Sequence, residues 1–347
     1  MEDFFVNGQA HGSVAEKLMA NNMSPLALRP FIGNDGKPYV SKMIGNELKA
    51  VPVANATLRK DEWKVIDTAV IQAFKSRLIG VADLISRGLV YNIGDGLGTT
   101  VLEYQKMKDV QGATMSMNAA SKGRKDRPEF DIAYLPLPIV HKEFSFDIRQ
   151  LTASRKHGQP LDTTMIEMCA RKCADKVEQM LFNGSGTYTF GGGTIYGYLD
   201  APNRNTGSLT AWTASASTGA TILAQVVAMK QAAIADRCYG PYVLYIPTAY
   251  ETQLDEDYNS SYPKSLRQRL LEIEGISDIK VSDQMTAANV VLVQMNTETV
   301  RLVQGMGITV VEWSNDGGLT KEYKVMTISV PQVRADSEGR SGIQHWS

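Results

Sequence analysis

Apolar residues recur at helical spacing in two long stretches and alternate at strand spacing in several shorter ones. Between Leu58 and Leu78, Trp63, Ile66, Val70, Ala73 and Phe74 share one face. Lys60, Asp61, Lys64, Asp67 and Lys75 fill the other, so an amphipathic helix is predicted, with Gly80 just past its end. A longer helix is predicted over Asp162–Asn183, where Ile166, Cys169, Ala170, Cys173, Ala174, Val177, Met180 and Leu181 form a continuous stripe. Asp162 or Thr164 can cap it, Glu167 stands in capping-box spacing from Thr164, and Gly184 is placed to stop it. At about 1.5 Å rise per residue, such a helix is a rod of roughly 30 Å. Ile139–Ile148 alternates apolar and polar positions and predicts a half-buried strand.

The other segments differ in character. Residues 1–57 read as an arm, punctuated by Gly8, Gly12, Pro25, Pro30, Gly33, Gly36, Pro38, Gly45 and Pro52, through which no long regular element is expected to run. Short apolar patches inside it, such as Phe4–Val6 and Leu26–Leu28, ask for a surface to lie on. Residues 94–135 read as a two-stranded excursion. It opens on Gly94, Gly96 and Gly98, runs through Thr99–Lys108 and Phe130–Tyr134, and carries a basic tip around Lys122, Arg124, Lys125 and Arg127. Residues 185–220 are turn-rich. Beyond them helices (Thr221–Asp236, Thr248–Asp257, Pro263–Ile273) mix with strands (Tyr242–Ile246, Ile279–Val281, Val290–Gln294, Val300–Val303), an α/β pattern. Ile308–Trp313 and Lys321–Val330 flank Asn315-Asp-Gly-Gly318 and predict a hairpin.

Composition narrows the function classes. A chain of 347 residues with 43% hydrophobic content can bury a full core and fill two domains. A formal net charge of -1 argues against a dedicated nucleic-acid binder, and a near-neutral chain self-associates with little repulsion. Three cysteines, two of them four residues apart, do not make a disulfide framework and suit a reducing cytoplasm. The first residues lack the apolar segment of a secretory signal, and runs such as Val290–Val293 are too short to span a bilayer.

The search for chemistry yields no catalytic, cofactor or metal site. Gly94-Asp-Gly96-Leu-Gly98 lacks the spacing of a dinucleotide fingerprint, and Asn183-Gly-Ser-Gly186 follows a helix, where a nucleophile elbow would precede one. Cys169 and Cys173 share a helix face, but zinc needs two more ligands and the four histidines are scattered, so both read as core residues. Asp255-Glu-Asp257 reads as a solvated loop. The basic tip reads as a partner for acidic residues on a neighbouring subunit, and Gly94, Gly96 and Gly98 as a hinge for the loop.

At this point the order of segments resembles the Hong Kong 97-type capsid fold, shared by tailed-phage major capsid proteins and encapsulin shell proteins. Leu58-Arg-Lys-Asp-Glu-Trp63-Lys-Val-Ile66-Asp67 resembles the L-x-x-x-x-W-x-x-I-D helix of the encapsulin (linocin-like) branch. Leu135-Pro-Leu-Pro-Ile, Phe144-Ser-Phe-Asp147, Leu181-Phe-Asn-Gly184, Ile195-Tyr-Gly-Tyr-Leu199 and Tyr239-Gly-Pro-Tyr242 are similar to further segments of that branch, in the same order. The resemblance implies an α+β fold with an arm over 1–57 and an extended loop over 94–137. It implies a peripheral domain over 58–93, 138–197 and 304–332, whose spine helix is about 162–183, and an axial domain over 198–303 and 333–347. The implied function is that of a major capsid protein, not an enzyme. It would assemble with itself into pentamers and hexamers in the host bacterial cytoplasm and end in the virion capsid. The implied partners are portal, scaffolding and cement proteins and packaged double-stranded DNA held without sequence readout; no membrane is implied. The long arm and the C-terminal segment 333–347 are phage-like. An encapsulin-type compartment enclosing cargo enzymes is the alternative, and an uncharacterised α/β enzyme the outsider.

Overall fold

The periodicity around Trp63 produces helix α1, Lys60–Lys75, which buries Trp63, Ile66, Val70 and Ala73. In the computed structural model the described residues are 5–6, 9–10, 30–33, 35, 37–44, 47–52, 60–76, 78–107, 117, 130–147, 149, 163–214, 217–259, 262–315, 320–336 and 338–347. Gly80 does more than follow α1. It opens a second helix, α2 (Gly80–Ser86), where a β-carbon would stand 2.7 Å from Leu181 Cδ2. The long helix is α3, Thr164–Asn183, and its buried stripe is the expected one with Glu178 and Phe182 added. Thr163 occupies the cap position with near-helical angles, and its hydroxyl meets Glu167 Oε1 at 3.0 Å; Asp162 lies outside the described residues. Gly184 ends the helix at φ +65°. Helices α4 (Gly219–Ala235), α5 (Glu251–Asp255) and α6 (Leu266–Leu271) follow, with Thr218 and Ser265 accepting capping bonds for α4 and α6.

The arm holds short strands and no long element among its described residues. Besides the short pair β1 (Phe5–Val6) and β2 (Gln9–Ala10), it carries an antiparallel sheet of β3 (Pro30–Ile32), β4 (Pro38–Ile44) and β5 (Glu47–Pro52). Its breakers fall at strand ends and between strands, where proline and glycine are tolerated, and Phe31 packs against the core beneath α1.

Next in order come β6 (Val90–Asn92), β7 (Val101–Met107), β8 (Phe130–Pro136) and β9 (Val140–Asp147). Strands β7 and β8 form the expected two-stranded excursion, in register from Val101↔Pro136 to Met107↔Phe130. The turn-rich stretch hides a hairpin, β10 (Ser185–Phe190) with β11 (Gly193–Ile195), and then β12 (Asn205–Gly207). The later strands are β13 (Tyr242–Pro247), β14 (Asp257–Asn259), β15 (Tyr262–Ser265), β16 (Ile276–Ser282), β17 (Val290–Gln294), β18 (Val300–Asn315), β19 (Thr320–Val333) and β20 (Ile343–Trp346). Strand β18 unites two segments expected to be separate. Its register shifts between Gln304 and Thr309, where Gly305 and Gly307 interrupt the apolar pattern.

Two sheets organise the molecule. One has order β6-β18-β19-β9; α1 and α3 cover it, and Phe144 stacks on Tyr323 at 5.1 Å with Trp63 edge-on at 6.0 Å. The other is mixed, with order β12-β20-β17-β13-β16. Its central strands β13 and β17 are buried throughout, as strands covered on both faces must be. Val243, Tyr245, Val291 and Val293 face a core shared with the first sheet and the C-terminal half of α3. Leu244, Ile246, Val290 and Leu292 face α4 and α6. No helix among the described residues is long and apolar enough to cross a membrane.

Candidate functional site

The features able to support assembly are the loop, the junction between the sheets and the edge strands that close the second sheet. The loop stands on the β10–β11 hairpin. A β-carbon at Gly193 would lie 2.4 Å from Tyr134 O, and one at Gly191 (φ +58°) 2.6 Å from Val101 Cγ2, so the loop root rests directly on glycine backbone. Of the three glycines read as a hinge in the sequence, Gly96 backs onto Gly305, whose carbonyl oxygen would be 2.2 Å from an added β-carbon. Gly98 donates its N–H to Asp95 Oδ1 at 2.8 Å. Gly94 lies in the same connection, between β6 and β7. None of the three is at positive φ, and the close approach to Gly305 is a reason for glycine that the sequence reading did not supply. Lys122, Arg124, Lys125 and Arg127 lie outside the described residues. Along β8, Phe130, Ile132 and Tyr134 are exposed at alternate positions.

Helix α2 joins the two sheets. The Glu178 carboxylate, on α3, accepts the N–H groups of Ile79 (3.2 Å), Gly80 (2.6 Å) and Val81 (3.2 Å). Burial pushes the Glu178 carboxyl up to about 6, against the pull of those three donors. Further along α2, Asp83 receives Arg87 Nε at 3.0 Å and the Tyr245 hydroxyl, from β13, at 2.9 Å. Arg87 also donates to Ser277 Oγ on β16 at 3.0 Å. Phe182, Tyr198 and Tyr245 pack ring against ring around these acids, with centroids 5.2–5.7 Å apart, and burial holds both tyrosine hydroxyls well above their ordinary pKa. Sequence reasoning missed this cluster. The available signal was Glu178 itself, a charge four residues after Ala174 on the apolar face.

The last described strand is clasped by His345. Its Nδ1 accepts from Arg204 Nε at 3.0 Å and its Nε2 meets Asn289 Oδ1 at 2.7 Å, which fixes the neutral ring with the proton on Nε2. Burial, then Arg204, lower its pKa from 6.5 to about 4. The folded state therefore resists a proton that the unfolded chain takes up, and stability present above pH 6.5 is lost as pH falls toward 4. The expected loss is at most about 3 kcal/mol from this group. Urea titrations across that range should show the loss in the wild type and a flatter profile in His345→Gln; equal profiles would remove His345 as the cause.

Cys169 and Cys173 are buried, with sulfurs 3.7 and 3.8 Å from the carbonyls of Glu143 and Val325. Burial raises both thiols, Cys173 to about 12, so both stay protonated core groups. No cluster of three metal-ligating side chains occurs among the described residues. An apolar groove of about 270 Å³ lies between α1, α2 and strands β18 and β19, lined by Ile71, Phe74, Leu78, Ile85 and Ile308 among others.

Against this geometry the relatives can be read. Residues 53–346 match the sequence profile described as "Family of unknown function (DUF6260)". The chain belongs to this family. It is also 25% identical over 243 residues to the type 1 encapsulin shell protein EncA of Myxococcus xanthus (strain DK1622), a match spanning 68% of this chain and 74% of EncA. Among solved structures, the virus-like particle from Pyrococcus furiosus aligns with TM-score 0.60 and 17% identity over 81% of this chain and 98% of that one. The capsid of Myoviridae phage XM1 aligns with TM-score 0.60 and 15% identity over 78% of this chain and 92% of that one. The α+β fold of this DUF6260 member is the Hong Kong 97-type fold of capsid and encapsulin shells.

Proposed function

We propose that the chain is the repeating subunit of a closed icosahedral shell, and specifically the major capsid protein of a tailed-phage head enclosing double-stranded DNA. The observation that carries the phage reading is the arm. It supplies a folded three-strand sheet ahead of α1, and its first 52 residues precede the stretch matched by the family profile. An element anchored to the core through Phe31 and carrying its own paired strands is suited to bury area on a neighbour. Many such modest contacts add up once symmetry closes the shell. The relatives named above are shell proteins, which favours a structural role over catalysis. On this reading the sheet containing β13 forms the axial domain at capsomer centres, and the sheet containing β18 and β19 the peripheral domain. Portal, scaffolding and cement proteins are its further partners.

A second reading, an encapsulin-type compartment, is favoured by the apolar groove beside the Trp63 helix, a surface able to take a short apolar cargo segment. Electron microscopy of native particles separates the two. Nuclease-protected DNA inside closed shells supports the head; shells holding only protein support the compartment; absence of shells overturns both. The same preparation tests the parts. Deleting residues 1–57 should abolish or weaken assembly while the remainder still folds. Reversing Lys122, Arg124, Lys125 and Arg127 together should lower particle yield and salt resistance. Wild-type particles from either chain would remove that element from the proposal. A loop held at one fixed angle in shells of different curvature would remove the hinge at Gly94, Gly96 and Gly98.

A further inference from the structure

Two arginines stand as diagonal neighbours on one face of the first sheet. Arg301, on β18, lies over the Tyr91 ring with its guanidinium carbon 4.3 Å from the centroid, and its Nε donates to Gln332 Oε1 at 2.5 Å. Arg334, just past β19, donates through Nη1 to Thr297 O at 3.1 Å. Arg301 stands opposite Gln332 across the two strands, and two residues further along the Arg334 N–H donates to Thr299 O at 2.8 Å, so both arginines lie on one face of the sheet. Burial and then Arg334 pull the Arg301 guanidinium below its usual pKa. Neither guanidinium forms an ion pair with a carboxylate of the described residues. This sets them apart from Arg87 and Arg340, which are held by Asp83 and by Asp336 with Glu338.

Tyr91 and Tyr104 border the pair, and Tyr196 lies near Tyr104. Tyr91 and Tyr196 are exposed, and Tyr104, on the loop strand β7, lies close enough to feel both arginines and Tyr196. Lys106 sits two residues along the same strand, hence on the same face as Tyr104. It joins Arg334 in lining an adjoining cleft of about 560 Å³. Glu298 and Asp336 line that cleft too, but Asp336 is engaged by Arg340 and neither pairs with Arg334.

Like charges held side by side without a counter-ion cost free energy unless an anion joins them, and a guanidinium fork fits the geometry of a phosphate. Aromatic faces beside such a fork suit the bases that flank a phosphodiester. We propose that Arg301 and Arg334 form a site for a phosphate group of a nucleic-acid strand, with the exposed Tyr196 as the ring for the adjoining base, while Tyr91 backs the Arg301 guanidinium. The near-zero net charge of the chain is no obstacle, because the site depends on local charge. The site is defined within one subunit, so it stands whether the chain builds a phage head or a protein compartment.

The test uses the full chain and fluorescent oligothymidylate in a salt titration, with inorganic phosphate and an oligoglutamate peptide as competitors. Arg334→Gln, which loses only a contact to a loop carbonyl, should weaken binding about tenfold and reduce the slope of log affinity against log salt by about 0.7. Arg301→Lys keeps the charge but loses the fork, and should weaken binding with a smaller change in slope. Inorganic phosphate should compete only weakly, since it lacks the base. Unchanged binding in Arg334→Gln, with its thermal unfolding also unchanged, overturns the site. Competition by oligoglutamate equal to that by unlabelled oligothymidylate overturns its assignment to nucleic acid. Shell formation, followed separately by electron microscopy, reports on the assembly proposal alone.

Discussion

Glu178→Ala should lower stability by about 3 kcal/mol, because it strips the acceptor from the N–H groups of Ile79, Gly80 and Val81 where little water can replace it. Glu178→Gln should lose less, about 1 kcal/mol, since one carbonyl oxygen can keep the two donors now shared by Oε1. The pH profile distinguishes this from simple packing loss. The Glu178 carboxyl is raised from 4.5 to about 6, so the folded protein binds this proton more tightly than the unfolded chain. Its contribution is then most favourable below pH 4.5 and falls by about 2 kcal/mol as pH rises through 6. That sign is opposite to the His345 effect, and between about pH 6 and 4.5 the two titrations offset each other. Urea unfolding of Glu178→Gln should therefore show a steeper loss of stability on acidification than the wild type, and parallel curves would sink the assignment.

Gly197→Ala is the second large effect. A β-carbon there would stand 2.4 Å from Gly184 N, 2.7 Å from Phe182 O and 2.8 Å from Leu181 O, all backbone atoms that cannot swing aside. The same segment closes the end of α3, since Tyr198 and Leu199 donate to the carbonyls of Leu181 and Phe182, both at 2.9 Å. Moving it away would uncap the helix as well as relieve the clash, so the expected cost is at least about 3 kcal/mol. Gly186→Ala is the control, because its only near neighbour is Asp200 Oδ2 at 3.9 Å. Equal midpoints for the two variants in denaturant unfolding would show that the chain end of α3 yields more easily than its geometry implies.

The sequence carried the long elements because burial on one face imposes a period. Residues 60–75, 164–183 and 290–294 fold as their patterns ask. It failed where pairing partners decide the structure. Strand β20 contains Gln344 and His345, whose burial makes sense only between β12 and β17. Strand β18 was cut in two by glycines that serve a register shift and the approach of Gly96. Pro263–Ser265 was expected to begin a helix, whereas Ser265 caps α6 and Tyr262–Ser265 pairs with β14. Of the candidate site, the loop was legible as an excursion between glycine-rich and proline-rich ends. The Glu178 junction and the Arg301–Arg334 pair were not, because their members lie far apart in sequence and meet only through sheet order.

The placement of β20 has a consequence for biogenesis. It lies inside its sheet, paired on both sides, yet it is the last described strand to leave the ribosome. Until it emerges, β12 has no neighbour and β17 presents an open edge, so the second sheet cannot close during synthesis however early the first one folds. Closure of the second sheet therefore waits on Ile343–Trp346, the strand that joins β12 to β17.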